Sequence, residues 1–366
     1  MVKSNNFDCL VVGGGLIGML TARELVRAGV RVAVLERGRT GRESTWAGGG
    51  ILSPLYPWRY PAGVNLLARW SQDVYADLAV QLQEESGIDP EYVQNGLLIL
   101  DPDERAAALT WADTWQRRLE VVDRSGIQNL EPHLGDVPEA GLWLPEVGQL
   151  RNPRLAEAVR KSIENQGAKI FEHTPVEGLV VHGDSVQGVT TPQGVFIADK
   201  VVIAGGAWSA QLLGAIGLQL PVRPVRGQMI LYRTRPGLVA RILLSQGRYV
   251  IPRRDGRVLV GSTMEEVGFN KTTTTAALEE LQHEAHRLIP TLAEYPVEHH
   301  WAGLRPGSPT GTPYICEHPG IEGLFLNTGH FRNGVVMGPA SARLLADLLL
   351  VRTPILATAP FRMEEA

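Results

Sequence analysis

Residues 8–36 read DCLVVGGGLIGMLTARELVRAGVRVAVLE, and their order decides the fold. Cys9 to Val12 is a short apolar run of the kind that forms a fully buried strand. Gly13, Gly15 and Gly18 follow as G-x-G-x-x-G, with Ala22 one helical turn further on. Gly29 ends the helix, and Val30 to Leu35 returns as a second strand that finishes on Glu36. The first glycine permits the tight turn, the second lets backbone approach a pyrophosphate, and the third allows close helix-on-strand packing. The helix N-terminus offers unpaired N–H groups and the positive end of its dipole to that pyrophosphate. Glu36 stands where a carboxylate accepts hydrogen bonds from ribose hydroxyls.

Strand, turn, helix and terminal acid together predict dinucleotide binding rather than a plain glycine-rich turn. They do not choose the dinucleotide, because FAD, NAD and NADP all use this cradle. Glu36 disfavours a 2′-phosphate and ranks NADP last, while Arg37 beside it keeps NADP open.

The chain has 366 residues, too many for one compact core and suited to two domains. A formal charge of −4 without a basic stripe argues against nucleic acid as a partner. Only two cysteines occur, Cys9 and Cys316, and no C-x-x-C or Cys/His cluster, so neither a disulfide framework nor a metal is expected. The apolar stretch Cys9 to Leu20 imitates a signal-peptide core, but it lacks a cationic start and forms the cofactor strand. No uninterrupted apolar run reaches the ~18 residues that suggest a spanning helix. The expectation is a cytoplasmic protein with no membrane contact.

Helices are predicted over residues 66–85, 103–119 (with Asp103 as a possible N-cap), 152–166, 209–216, 276–288 and from about Gly338 to Leu350. A second glycine cluster, Ala47 to Leu52, is either another close approach of backbone to ligand or a flexible loop. Val201 to Ala204 reads as a further strand of the cofactor sheet, which makes that domain discontinuous. From Pro221 to Arg305, alternation at 227–232, 247–251 and 257–261 predicts an antiparallel sheet with one face exposed. The expected cofactor domain is 1–85 with 150–220 and 306–366. The expected substrate domain is 86–149 with 221–305.

Arg305 and Arg332 sit at the ends of core elements next to glycines, and a pair so placed points to an anionic ligand. Tyr249 could supply a hydroxyl or pack at a strand edge. His330 is either a base or a loop histidine bonded to backbone. His299 and His300 lack a third ligand, and no G-x-S-x-G elbow exists.

With these residues in place, the chain resembles the flavin amine and amino-acid oxidases, a family that includes D-amino-acid oxidase, sarcosine oxidase and the bacterial glycine oxidases. The resemblance runs nearly end to end and is strongest to the glycine oxidases. It is carried by VVGGGLIG (Val11 to Gly18), Glu36, AGGGIL (Ala47 to Leu52), VVIAGGAWS (Val201 to Ser209), WAGLRP (Trp301 to Pro306) and GHFRNGV (Gly329 to Val335). It implies a mixed α/β (α+β) fold, D-amino-acid oxidase-like, with a discontinuous Rossmann-like FAD domain and an inserted antiparallel-sheet substrate domain.

The same resemblance implies non-covalent FAD, since Cys316 is displaced from the position that carries covalent flavin in sarcosine oxidases. Besides Gly13, Gly15 and Gly18, it assigns Leu16, Ile17, Glu36 and Arg37 to the ADP half and Val176 to adenine. Ser44, Thr45, Gly49, Gly50 and Ile51 match the segment passing the flavin. His330, Phe331, Arg332, Asn333, Gly334, Val335 and Val336 match the loop beneath its pyrimidine edge. Arg305 matches the substrate-carboxylate clamp, assisted by Tyr249 and Arg332, with Met264 and Ile51 lining the pocket. Ile51 and Pro54 to Trp58 depart from the family pattern at the cavity mouth, so glycine, sarcosine and small D-amino acids all stay open as substrates. The implied reaction is oxidative deamination with oxygen, without a protein base. A quinone-linked dehydrogenase, an NAD enzyme and a non-catalytic flavin subunit are the alternatives. A homotetramer and a role in thiamine thiazole synthesis are further implications of the resemblance.

Overall fold

The computed structural model describes residues 6–215 and 217–363. Its first sheet has six strands in the order Tyr314–Glu317, Leu324–Thr328, Val201–Ile203, Cys9–Val12, Val32–Leu35 and Lys169–Phe171. All neighbours are parallel except the Tyr314–Glu317 edge, which runs antiparallel to Leu324–Thr328. Cys9–Val12 is buried along its whole length and pairs with Val201–Ile203 on one side and Val32–Leu35 on the other. This is why its sequence is apolar without alternation.

The helix Leu16–Arg27 leaves that strand through Gly13, which holds φ 114°. A Cβ on Gly18 would lie 2.0 Å from the Gly13 carbonyl oxygen, so only glycine lets helix and turn meet. Helices Ala62–Ser86, Asn152–Asn165 and Gly334–Leu349 complete that face, packing Tyr75, Leu78, Val159 and Leu344 around Met19 and Leu25. Three strands between Gly178 and Ile197 cover the opposite face, burying Val186, Val189 and Phe196 against Leu10 and Leu35.

The second sheet has eight strands, in the order Val297–Gly307, Arg223–Arg233, Arg257–Gly261, Arg248–Pro252, Ile242–Ser245, Leu97–Ile99, Ala140–Leu144 and Glu120–Asp123. It is antiparallel except where Ile242–Ser245 runs parallel to Leu97–Ile99. The expectation of an exposed face is overturned. Ile230, Tyr232, Val250 and Val260 pack against Leu281, Ala285 and Leu288 of the Thr275–Leu288 helix. Met229, Tyr249, Ile251 and Leu259 on the other face pack with Leu55 and Trp111. The polar residues that imitated an exposed face are satisfied internally. Gln228 is fully buried and bonds Glu265 and Thr274, and Tyr232 meets His286.

Two helix starts also differ from expectation. Asp103 lies in a short 3-10 turn before the Arg105–Trp115 helix and is not its cap. The last helix begins at Gly334 rather than near Gly338, and it contains Pro339. The Ser209–Gly214 helix matches the predicted segment, although Ile216 lies outside the described residues.

Candidate active site

A cavity of about 420 Å³ runs between the two sheets, from Glu36 and Arg37 at one end to Tyr249, Arg305 and Arg332 at the other. At the first end the Glu36 carboxylate accepts from the amides of Gly14 and Gly38, each at 2.8 Å. Those two bonds fix the side chain and leave each oxygen a lone pair for a ribose hydroxyl. Arg37 stacks on the Trp208 indole, 3.7 Å from its centroid, and pairs with Glu43 at 3.4 Å. The fork that would grip a 2′-phosphate is therefore already engaged. Thr45 accepts the Leu16 amide at 2.9 Å, which ties the second glycine segment to the helix N-terminus.

That second segment is no flexible loop. Residues Gly48, Gly49, Gly50 and Ile51 line the cavity wall, and Leu52 and Leu150 amides bond Gly148 and Gly50 carbonyls across it at 2.9 and 3.0 Å. Trp301 donates to the Ala47 carbonyl at 3.2 Å, locking the segment onto the second sheet.

At the far end, Arg305 Nη2 donates to Ser262 Oγ at 2.7 Å and Nη1 to the Thr263 carbonyl at 3.1 Å. Burial pulls its pKa down to about 10, Tyr249 offsets part of that, and Arg332 adds repulsion, so it stays cationic at neutral pH. The Phe331 amide bonds the Pro306 carbonyl at 2.8 Å, which brings the Arg332 loop beside Arg305. Phe331 holds φ 48° to make that turn, a conformation rare outside glycine. Among the described residues, no carboxylate lies within ion-pair distance of either arginine. Two such cations facing one cavity leave room for an anion.

His330 lines the cavity but is buried, with Nε2 3.0 Å from Ser341 Oγ. Ser341 spends its own proton on the Met337 carbonyl at 2.8 Å, so the imidazole is the donor through Nε2. Burial lowers its pKa to about 3, and the ring is neutral. It is a loop histidine bonded to a side-chain hydroxyl, not to backbone as the alternative to a base had it, and it is not a poised base.

The residues fit FAD. Asn333 Nδ2 and Asn327 Oδ1, both from cavity-lining residues, are buried with no protein partner. Native proteins rarely leave such atoms unpaired, so a bound polar group is expected against them. The Gly334–Leu349 helix presents its first turn here, with Gly334 and Val335 on the wall and first-turn amides that lack intrahelical acceptors.

Of the residues named from sequence, three stand off the cavity wall. Gly18 packs helix on turn, as its spacing requires. Val336 turns into the helical core at 1% exposure. Met264 does not line the pocket: it follows the Arg257–Gly261 strand on an outward loop and is 59% exposed. Trp208 and Ser262 were missed as site residues, and Leu55 was placed only within the Pro54 to Trp58 segment at the cavity mouth; Trp208 left a signal in the Gly205-Gly206-Ala207-Trp208 turn after a cofactor strand, and Ser262 left none.

The profile of the family described as FAD dependent oxidoreductase matches residues 8–348. A glycine oxidase of Pseudomonas aeruginosa is 51% identical over 353 residues, covering 96% of this chain and 97% of that one. A glycine oxidase of Pseudomonas putida is 48% identical over 356 residues, covering 97% and 98%. The crystal structure of glycine oxidase from Geobacillus kaustophilus superposes with a TM-score of 0.93 at 30% identity, covering 99% of both chains.

Proposed function

Since the chain belongs to the FAD dependent oxidoreductase family, we propose that it oxidises glycine and other small amines with oxygen, as a glycine oxidase does. For glycine the balance is amino acid, oxygen and water giving glyoxylate, ammonia and hydrogen peroxide. The observation that carries this reading is the Arg305–Arg332 pair at the opposite end of the cavity from Glu36.

When bound, FAD supplies the two-electron acceptor and hands the electrons to oxygen. Gly13, Gly15 and the Leu16–Arg27 helix N-terminus would hold its pyrophosphate, and Glu36 its ribose. Arg305 binds the substrate carboxylate, with Arg332 adding charge and the Tyr249 hydroxyl beside them. Ile51, Leu55 and Met229 form the apolar wall at this end, which excludes water and favours a small side chain. No cavity residue is poised as a base, since His330 is neutral and faces Ser341. The substrate amine must therefore lose its proton before it reacts, and the protein's contribution is orientation and charge.

We assign the described residues of 1–85, 150–220 and 306–366 to the FAD domain and those of 86–149 and 221–305 to the substrate domain, whose Val297–Gly307 strand runs two residues past that boundary. By family likeness the protein is a cytoplasmic homotetramer whose imine product feeds the thiazole ring of thiamine. No helix among the described residues is long and apolar enough to cross a membrane.

The test is to purify the protein, add glycine, sarcosine or a small D-amino acid under nitrogen, and follow the flavin absorbance. Bleaching by glycine, then oxygen uptake matched by peroxide on readmitting air, is the expected result. A yellow protein that none of these amines bleaches would sink the reading. Bleaching without oxygen uptake would instead identify a dehydrogenase.

A further inference from the structure

We propose that Arg253 is a positioning residue of the active site: by gripping the Gly49 carbonyl it aims the Gly50 N–H into the cavity as a fixed donor to the cofactor. The proposal rests on the FAD reading above and assigns a part to a residue outside the cavity lining.

Arg253 leaves the end of the Arg248–Pro252 strand, in the turn toward Arg257–Gly261. Its neighbours serve the surface, Arg254 pairing with Asp89 and Arg257 with Glu298. Arg253 turns inward instead. Nη2 donates to the Gly49 carbonyl at 2.8 Å, and Nη1 donates to the Leu150 carbonyl at 3.0 Å and Gln149 Oε1 at 2.6 Å. All three acceptors are neutral, and no carboxylate lies within ion-pair distance among the described residues. Burial and the neighbouring Arg151 lower its pKa to about 10, so it remains charged at neutral pH. A desolvated cation spent entirely on main-chain and amide oxygens is costly unless those oxygens must be held.

What it holds has a direction. A peptide unit is planar and trans, so its C=O and N–H point opposite ways. With the Gly49 oxygen fixed on Arg253, the Gly50 N–H points away from Arg253. Gly50 lines the cavity and Arg253 does not, so that opposite side is the cavity. The Gly50 N–H has no protein acceptor among the described residues. The next peptide is fixed too, because the Gly50 carbonyl accepts from Leu150 at 3.0 Å. Gly50 itself must be glycine: it holds φ 76°, and a Cβ would fall 2.0 Å from the Leu150 oxygen.

With the cradle from Gly13 to Glu36 holding the ADP half, the ring system of FAD would reach the end where Gly50 donates. A donor held there favours the electron-rich, reduced ring. A planar fork is required to reach both diverging carbonyls, and the point charge of lysine cannot span them.

The test uses Arg253→Met and Arg253→Lys holoenzymes, reconstituted with FAD and checked for flavin content. Expected are a two-electron midpoint potential about 30 mV more negative in Arg253→Met, equivalent to tenfold weaker relative binding of the reduced form, and anaerobic reduction by glycine at least tenfold slower. KM should move less than about threefold. Arg253→Lys, which keeps the charge but not the fork, should show the same changes in smaller measure. Wild-type potential and rate in Arg253→Met would overturn the proposal. If Arg253→Met does not fold, wild-type behaviour of Arg253→Lys overturns it, because charge alone would then suffice. Wild-type flavin that glycine never bleaches would instead count against the proposed function.

Discussion

The hydroxyl of Tyr75 donates to the carbonyl of Val335, the acceptor that Pro339 leaves without its helical partner. Proline has no N–H to give four residues back, and its ring pushes that carbonyl away. One turn earlier on Tyr75's helix, Ser71 accepts the Ala340 amide at 3.0 Å. Together they patch a break just behind the cavity-facing first turn of the last helix. Tyr75→Phe should cost about 1–3 kcal/mol, the price of a buried carbonyl left unpaired. Urea unfolding measures it, and adding Pro339→Ala to that variant should recover part of the loss. An unshifted midpoint in Tyr75→Phe would contradict this account.

Gly227 sits against the substrate arginine. A Cβ there would lie 2.1 Å from Arg305 Nη2, and the guanidinium is the part that can give way. Gly227→Ala should therefore fold and bind FAD normally while displacing Arg305. We predict a fall of about tenfold or more in kcat/KM for glycine, on the scale of 1.4 kcal/mol. Steady-state kinetics at saturating FAD decides it, and unchanged values would mean that Arg305 does not clamp the substrate.

Glu36→Ala removes both a ribose acceptor and the acceptor for the Gly14 and Gly38 amides. FAD dissociation should strengthen with the loss, its Kd rising by about tenfold, a ~1.4 kcal/mol effect. The apoprotein should also unfold at lower urea. A variant that purifies with full, tightly held flavin would remove Glu36 from the cofactor site.

The buried His330 predicts a stability slope in acid. Its folded pKa of about 3 lies below the ordinary 6.5, because burial disfavours the charged ring. Between those values the unfolded chain binds a proton that the folded one does not, so stability is complete above pH 6.5 and falls as pH drops toward 3. Burial shifts His286, His300 and His318 in the same direction, so His330→Gln should flatten the slope without abolishing it. Urea midpoints from pH 7 to pH 4 test this. In the same variant, the acid limb of glycine kcat/KM should keep its apparent pKa, because the ring is no base. A displaced limb would restore His330 to the chemistry.

Much of this was legible in the sequence where a residue's job is local. Gly13, Gly15, Gly18 and Glu36 announce a strand–turn–helix because the turn geometry permits little else. Arg305 and Arg332 were legible as a pair because each stands beside glycines at the end of a core element. The second sheet misled for a physical reason: Arg226 and Gln228 look solvent-facing in an alternating strand. They are buried instead, paired with Glu265 and Thr274 from a loop some forty residues on. Arg253 was invisible because two adjacent arginines in a turn read as surface charge. Only the three-dimensional return of its fork to Gly49 and Leu150 shows otherwise.

The central claim is that a small amino acid is held by its carboxylate on Arg305, opposite the dinucleotide cradle. Arg305→Leu leaves Ser262, the cradle and Glu36 in place, so flavin content should stay normal. The measurement is kcat/KM for glycine in that variant beside the wild type. Loss of the buried charge partner should cost roughly 3–5 kcal/mol, a fall on the order of 10²–10⁴. Glycine kinetics unchanged from wild type in an Arg305→Leu protein with full FAD content would contradict the account.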